Sequence, residues 1–404
     1  MRICAFQGLV PSPPYAPEVA CVPYDVVDAA EAAALAAGKP HSLLHVDRAE
    51  IDLPTGVDPY GAAVYARARE NFLQLQKAGV LIRENGPCLY LYQQQMGTHR
   101  QRGLVAVCHV EDYDNETIRK HEKTRRDKED DRTRLVDTLS ANTGPIFLTY
   151  RDSAALNALV AAKVAEKPVH DFTAPDGVRH TVWRIPGGAE WMEAFRAVPV
   201  AYIADGHHRA ASAARVARLR RERNARHTGA EDYNWFLSVL FPASELKILP
   251  YNRLVSDLNG LGNALFLEQV RAVFGLEEPG APAPAGVGRV SMYLDGRWYG
   301  LRCPADPKAD PVARLDVSVL QERLLAPLLG IDDPRTNKRI DFVGGIRGPE
   351  ELARRVDARG GVAFSMYPVT VAQLMDIADA GQIMPPKSTW FEPKLRSGLF
   401  IHTF

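Results

Sequence analysis

The stretch VAYIADGHHRAASAARVA, residues 200–217, decides how this chain is expected to fold and where its chemistry is expected to lie. The apolar run Val200–Ala204 is typical of a buried strand. From Ala210 onward, alanines recur at the three-and-four spacing of a buried helix face, between arginines that can stay solvated. Asp205-Gly206 is a tight turn between the two patterns. We therefore predict a strand, a turn and a helix in immediate succession.

The turn Asp205–Arg209 has the composition of a phosphate-binding site. A helix N-terminus presents unpaired backbone N–H groups and the positive end of the helix dipole to an anion. His207, His208 and Arg209 add two imidazoles and a guanidinium at the same point. The alternative is structural, because Asp-Gly is an ordinary turn and adjacent histidines often cap a helix or pack. The residues of the turn leave both interpretations open.

Length and charge limit the possible functions. A chain of 404 residues with 46% hydrophobic content can bury a large core, and single cores stop growing near ~250–300 residues, so we expect two or more subdomains. The 49 Lys and Arg residues balance the 49 Asp and Glu residues. No global field therefore attracts nucleic acid or anionic lipid, and any polyanion site must be local. Nucleic acid is not an expected partner, and the oligomeric state is not set by these features.

The cysteines and the apolar runs indicate a cytoplasmic protein. Five scattered cysteines without a C-x-x-C pair argue against a disulfide framework and against a zinc ribbon. Proline interrupts the first eleven residues, so no signal sequence is expected there, and no later run approaches the length of a membrane span.

Local patterns predict a mixture of short strands and helices. Strands are expected at Met1–Leu9 and Ala20–Tyr24, and Asp28 with Glu31 resembles a capping box that opens a helix ended by Gly38. A second group of elements comprises an amphipathic helix within Tyr60–Ala78 and strands at Cys88–Gln93 and Gly103–Val110. This order is not the regular alternation of a doubly wound parallel sheet, so we predict an α+β fold with mixed sheets.

Only one stretch, Glu278–Gly288, has the proline, glycine and alanine content of a loose joint. This stretch is more simply a surface loop or joint than a boundary between modules. The expected segments are residues 1–150 with a candidate base, residues 151–277 with the phosphate turn, and residues 289–404 with a Lys-Ser-Thr block.

The charged run Lys120–Arg132 is most simply an exposed helix with ion pairs at i,i+4. Its beginning differs, because His121, Glu122 and Thr124 combine titratable groups with a hydroxyl. If the turn binds phosphate, Glu122 is our candidate for a general base.

Two further clusters could hold phosphate or a metal ion. Lys387, Ser388 and Thr389 offer an ammonium and two hydroxyls between prolines, although the glycines of a Walker loop are absent and a proline-bounded turn is the simpler alternative. Near the N-terminus, Asp25 is followed by His41 and His45, and we favour the carboxylate as a metal ligand.

Five blocks of the sequence resemble the domain-of-unknown-function 1015 family, and the resemblance covers nearly the whole chain. They are Pro23–Val26, His121–Thr124, Tyr202–Arg209, Pro250–Arg253 and Met384–Thr389, followed by Pro393-Lys394 and Ser397–Leu399. The Asp-Gly-His-His-Arg block is also similar to the Gly-His-Arg turn of the ParB/sulfiredoxin-like superfamily, which holds nucleotide phosphates and includes free-serine kinases. This resemblance implies a ParB/sulfiredoxin-like core elaborated by additional N- and C-terminal segments.

The resemblance implies roles for the matching residues. Gly206, His207, His208 and Arg209 would cradle the donor phosphates, with Asp205 near the metal ion or the transferred group. The cysteine that sulfiredoxins place beside this turn is replaced here, so sulfinic-acid repair is not expected. DNA-binding relatives recruit a basic surface, and the arginines of residues 215–226 are more simply solvated.

Together these features predict a small-molecule kinase acting on a hydroxyl metabolite, with free L-serine as the favoured acceptor. Glu122 would take the hydroxyl proton, Mg²⁺ would be held through Asp25 or Asp205, and His207 would act in catalysis. Lys387, with Ser388 and Thr389, would help neutralise the phosphates. ATP, ADP and pyrophosphate remain alternative donors. A non-catalytic nucleotide-binding switch is the second interpretation, and an inactive binding module is the third.

Overall fold

The computed structural model describes residues 1–304, 306 and 308–404, and the chain divides into two compact units. The first unit comprises Met1–Leu246 and Pro393–Phe404, and the second comprises Lys247–Glu392. The loose stretch Glu278–Gly288 lies inside the second unit. The division of the sequence into three segments stays a prediction.

The strands and helices alternate irregularly along the chain. The strands are β1 (Ile3–Cys4), β2 (Leu9–Pro11), β3 (Leu81–Arg83), β4 (Cys88–Met96), β5 (His99–His109), β6 (Ile118–Arg119), β7 (Ala141–Asn142), β8 (Ile146–Tyr150), β9 (His170–Thr173), β10 (Arg179–Pro186), β11 (Ala201–Asp205), β12 (Trp235–Pro242), β13 (Lys247–Leu249), β14 (Tyr251–Val255), β15 (Gly275–Glu277), β16 (Arg289–Leu294), β17 (Arg297–Arg302), β18 (Ile340–Gly344), β19 (Val362–Met366), β20 (Trp390–Glu392) and β21 (His402–Thr403). The α-helices are α1 (Ala16–Val19), α2 (Ala29–Ala36), α3 (Leu44–Asp47), α4 (Ala62–Lys77), α5 (Val110–Asp114), α6 (Arg126–Leu139), α7 (Ala154–Lys163), α8 (Ala189–Arg196), α9 (His207–Arg223), α10 (Asn263–Val273), α11 (Asp316–Leu320), α12 (Gly348–Arg359) and α13 (Val371–Asp379). Short 3₁₀ turns occupy Pro13–Tyr15, Ala49–Asp52, Asp232–Asn234, Ala243–Glu245 and Gly345–Arg347, and a π-helical turn occupies Gln321–Leu325.

The first unit is built on a nine-stranded mixed sheet. Its order is β6-β11-β8-β12-β5-β4-β10-β9, with β1 paired to β5. The β11–β6 and β12–β8 pairs are parallel, and the other pairs of this sheet are antiparallel. The main core forms where apolar side chains of these strands meet helices α8 and α9. Phe195 of α8 is fully buried in this core, and burial of such a side chain stabilises the fold by ~1.5–3 kcal/mol.

The second unit contains a six-stranded antiparallel sheet in the order β15-β17-β16-β19-β14-β18. Helix α12 covers part of it, because Leu352 and Val356 pack against Val343 and Ala363. The mixed α+β class predicted from the sequence is therefore confirmed in both units.

The predicted strand, turn and helix at residues 200–217 are confirmed. Strand β11 ends at Asp205, and α9 begins at His207 after a single turn residue, Gly206. The alanines of the predicted buried face, Ala210, Ala213, Ala214 and Ala217, are all buried. The pairing of β11 with β8 shifts register between Ile203 and Asp205, an irregularity of the kind that redirects a side chain next to a site.

Of the other elements predicted from local patterns, some are confirmed and one is wrong. The capping box at Asp28 and Glu31 is confirmed, and so is the helix predicted within Tyr60–Ala78, whose apolar face is buried. The strand predicted at Ala20–Tyr24 is wrong. Within it, Cys21 makes an isolated bridge to Ser397, and Pro23 has no N–H with which to extend a ladder.

The charged run Lys120–Arg132 is only partly the exposed helix that was predicted. Helix α6 begins at Arg126, and the preceding residues form an irregular connection from β6. Asp131 and Arg132 are buried and bonded to each other rather than solvated. Tertiary packing thus overrides a pattern that looks uniformly polar in sequence.

All five cysteines are free thiols. In the part of the chain that the structure describes, no helix combines the length and the apolar character needed to cross a lipid bilayer.

Candidate functional site

The site begins at the turn between β11 and α9. Gly206 has φ +91°, a conformation that favours glycine, and its N–H donates to Asp205 Oδ1 at 2.8 Å. No side chain caps the first turn of α9, and that turn contains no acidic residue. The start of this 17-residue helix therefore offers backbone N–H groups and a positive dipole end to an anion.

Asp205 lies among cations. Its Oδ2 is 3.2 Å from Lys394 Nζ and 3.9 Å from Arg209 Nη2. Burial alone would raise the pKa of this carboxyl group, but the two cations outweigh burial and hold its pKa well below the usual range. Asp205 is therefore ionised at neutral pH, and its charge is already compensated by protein groups.

Arg209 folds back over the turn. Its Nη1 donates to the carbonyl oxygen of Pro145, and its guanidinium lies so close to Gly206 that a β-carbon there would be 3.0 Å from Nε. The buried Nε has no hydrogen-bond partner. Arg209 thus braces the turn and keeps one N–H donor without a protein acceptor.

Two buried imidazoles stand beside the turn. The rings of His121 and His207 meet edge to face, with centroids 4.5 Å apart. Burial lowers the pKa of His121 to about 4, and burial followed by the charge of His121 lowers that of His207 well below its usual value. Both rings are therefore neutral at pH 7.

Most ring nitrogens of these two imidazoles lack hydrogen-bond partners. Neither ring nitrogen of His121, nor Nε2 of His207, has a hydrogen-bond partner. The main chain of Ile203 lies near His121 and favours its charged form, but it does not meet the geometry of a hydrogen bond.

Glu122 is the exposed carboxylate of the site. Its side chain is 52% exposed, and Oε2 lies 3.8 Å from Nδ1 of His207. A carboxylate in this position faces solvent on one side and the buried imidazole on the other, so it can accept a proton from a ligand bound at the turn. The structure thus brings the predicted base next to the predicted phosphate turn.

His208 and Asp25 extend the same region. The backbone N–H of Arg125 donates to Nε2 of His208 at 2.9 Å, which makes this nitrogen an acceptor. Burial lowers the pKa of His208, and the nearby negative charge of Asp25 partly opposes that effect. Asp25 is exposed. Its carboxylate is therefore accessible to a cation, whereas that of Asp205 is engaged.

Two residues that contact the turn were not predicted as site residues from the sequence. Lys394 reaches Asp205 from 189 residues away, and His121 was treated only as a neighbour of Glu122. The Pro393-Lys394 dipeptide was visible in the family resemblance, but no local pattern indicates that its ammonium contacts Asp205.

Lys387, Ser388 and Thr389 belong to the second unit. The Ser388 hydroxyl donates to the carbonyl oxygen of Pro385 at 2.7 Å, and Lys387 Nζ lies 5.4 Å from the centre of the Tyr251 ring. These local contacts fit the proline-bounded turn. A role of the block in holding phosphate stays a prediction.

Several solved structures resemble this chain at low sequence identity. A glutamine-for-glutamate variant of free serine kinase in complex with AMP is 13% identical over 73% of this chain and 91% of that chain, with a TM-score of 0.37. SbnI with a C-terminal truncation, from Staphylococcus aureus, is 10% identical over 72% of this chain and 85% of that chain, with a TM-score of 0.39. A conserved hypothetical protein from Pyrococcus furiosus is 14% identical over 72% of this chain and 93% of that chain, with a TM-score of 0.35. Likeness at this level transfers neither ligand nor activity.

A search of curated proteins finds no match to the sequence. The family comparison does find one, because the model described as "Protein of unknown function (DUF1015)" matches residues 3–318 and includes the turn and Glu122. The chain belongs to the DUF1015 family.

Proposed function

We propose that this protein is a small-molecule phosphotransferase that transfers a phosphoryl group from a nucleotide or pyrophosphate to a hydroxyl metabolite, with free L-serine as the acceptor. The observation that carries the proposal is the position of Glu122, an exposed carboxylate beside an uncapped helix N-terminus. One side of the site attracts phosphate, and the other accepts a proton.

The turn would bind the donor phosphates. The backbone N–H groups at the start of α9 supply hydrogen bonds and a positive potential. Arg209 keeps an unpartnered Nε at the turn, and Lys394 adds an ammonium group held near it by Asp205. The transition state of phosphoryl transfer spreads negative charge over equatorial oxygens, so fixed donors and cations are the groups that this reaction needs most.

Glu122 would act on the acceptor. The carboxylate accepts the proton of the substrate hydroxyl as the oxygen attacks the transferred phosphorus, and the leaving phosphate or nucleotide carries away the electron pair of the broken P–O bond. His207, neutral and 3.8 Å from Glu122, would position the carboxylate without competing for the proton.

Phosphoryl transfer from these donors commonly requires Mg²⁺, which would supply positive charge to neutralise the phosphates. Asp25 fits the hard, oxygen-ligated ion because its carboxylate is exposed near His208. Asp205 fits less well, because Lys394 and the Gly206 N–H already use its oxygens.

The test measures formation of O-phosphoserine by ³¹P NMR with L-serine, Mg²⁺ and each donor in turn. Glu122→Gln should lower turnover by roughly 10²–10⁴-fold while donor affinity, measured by calorimetry, is kept. Glu111→Gln is the matched control. Glu111 is 53% exposed, and its Oε2 lies 3.7 Å from Nδ1 of His109, so the geometry is repeated away from the turn.

Near-normal turnover in Glu122→Gln would remove this residue from the mechanism. Saturable binding of a donor without phosphoserine or any other phosphorylated acceptor would instead support a nucleotide-binding switch. Absence of donor binding to the folded protein would contradict both functions.

A further inference from the structure

His121, Glu122 and His207 form a cluster that phosphate binding does not explain. The three ligand atoms that they can offer, one from each residue, all lie within 4.8 Å of one another. In a tetrahedral site with bonds of about 2.1 Å, neighbouring ligand atoms are about 3.4 Å apart. Displacements on the order of 1 Å would therefore bring the cluster to coordination distance, and Glu122 Oε2 already lies 3.8 Å from His207 Nδ1.

Burial makes the nitrogens of this cluster unusual. His121 is 1% exposed and His207 is 5% exposed, yet three of their four ring nitrogens have no hydrogen-bond partner. A buried polar group without a partner costs about 1–3 kcal/mol. Packing alone gives these nitrogens no partner, whereas coordination of a cation would use the lone pair of one nitrogen in each ring.

We propose that His121, Glu122 and His207 bind a divalent transition-metal ion through two imidazole nitrogens and one carboxylate oxygen. Imidazole ligands favour Zn²⁺, Co²⁺ and related ions, whereas Mg²⁺ favours oxygen ligands. The exposed side of Glu122 leaves room for water or a substrate oxygen as a further ligand. The negative charge of Asp205 acts on both imidazoles and adds to the attraction for a cation.

This site is distinct from the Mg²⁺ position at Asp25 and does not depend on the proposed kinase activity. It is also compatible with that activity, because coordination through one carboxylate oxygen leaves the second oxygen of Glu122 able to accept a proton.

The test uses the full chain, freed of metal by chelation, with no donor or acceptor present. Co²⁺ is added and the visible absorption of a nitrogen-ligated ion is followed, and Zn²⁺ binding is measured by calorimetry. One equivalent of each ion should bind, and excess Mg²⁺ should not displace it. Mutation of a residue that only hydrogen-bonds to a metal ligand typically lowers metal affinity by ~10–100-fold, and loss of a ligand itself should lower it further. Glu122→Gln should therefore weaken Zn²⁺ binding by at least ~100-fold.

His207→Asn should weaken binding equally, and circular dichroism would show whether this buried substitution still folds. Glu122→Gln alters an exposed side chain, so this variant is expected to fold. If His207→Asn does not fold, the Zn²⁺ affinity of Glu122→Gln tests the proposed site. Glu111→Gln, at the matching His109 pair, should leave Zn²⁺ affinity unchanged. The proposal is overturned if the folded wild type binds neither ion saturably, or if Glu122→Gln and Glu111→Gln bind Zn²⁺ as tightly as the wild type.

Discussion

Gly206→Ala is expected to damage the turn in two separable ways. The φ of +91° places an alanine in the left-handed region, which costs about 1–2 kcal/mol. The new β-carbon would also sit 3.0 Å from Nε and 3.1 Å from Cζ of Arg209. Arg209 is largely buried and bonded to Pro145, so it cannot swing away freely, and crowding of this kind adds about 1–3 kcal/mol.

Gly229→Ala isolates the first of these costs. Gly229 has φ +92°, and a β-carbon there would meet nothing within 4 Å. Its substitution should therefore destabilise the protein by about 1–2 kcal/mol through backbone strain alone. The difference in free energy of unfolding between the two variants measures the crowding of Arg209.

Urea denaturation followed by circular dichroism gives both stabilities, and calorimetry gives the affinity for ATP, ADP or pyrophosphate. In the Gly206→Ala variant, displacement of Arg209 should weaken donor binding. The Gly229→Ala variant should bind the donor as tightly as the wild type. Equal stabilities for the two variants, together with unchanged donor affinity, would refute the view that close packing of Gly206 and Arg209 shapes the phosphate site.

Three other changes test charge and burial. Arg209→Lys should weaken donor binding by roughly 10–100-fold in calorimetry, because an ammonium cannot reproduce the planar fork; unchanged affinity would leave Arg209 as a brace for Pro145 alone. Burial raises the pKa of Asp316 to about 6, so the native state loses about 2 kcal/mol of stability as pH rises from 4 to 6, and about 3 kcal/mol over the whole titration. Asp316→Asn should remove this slope in urea titrations and be the more stable form above pH 6, and a slope equal to that of the wild type would contradict the assignment. Burial, with the charge of Arg396, lowers the pKa of His180 from 6.5 to about 3, so its contribution to stability is present above pH 6.5 and lost as pH falls toward 3. The loss should reach about 2 kcal/mol at pH 5, and His180→Gln should show a smaller change in unfolding free energy between pH 7.5 and pH 5.

The features that could be predicted from the sequence are those with local causes. A capping box needs only Asp28 and Glu31, and the alanine face of α9 needs only spacing along one helix. The turn at Gly206 follows from an Asp-Gly pair between an apolar run and a helical pattern. Each of these patterns depends on residues that are close together in sequence. The corresponding element can therefore be predicted without knowledge of tertiary contacts.

The features that could not be predicted depend on distant pairings. Lys394 returns to the first unit at the end of the chain and meets Asp205, and no periodicity relates the two positions. The contact of His121 with His207 likewise depends on parallel pairing of β6 with β11, which sets the register between separate segments. The burial of Arg132 in a run of charges follows from its stacking on the Tyr24 ring, 4.0 Å away.

Asp205 shows how the assembled charges alter an interpretation based on residue type. In sequence, a carboxylate next to a phosphate turn suggests a metal ligand. In the structure it pairs with Lys394 and Arg209, so the three side chains together carry one net positive charge beside two neutral imidazoles. We infer that Asp205 holds the Lys394 and Arg209 cations at the turn before a phosphate donor binds. Its negative charge also weakens the attraction of the turn for that donor. Under the proposed function, this carboxylate would act by positioning Lys394 and Arg209, and the exposed Asp25 would be the carboxylate that holds Mg²⁺.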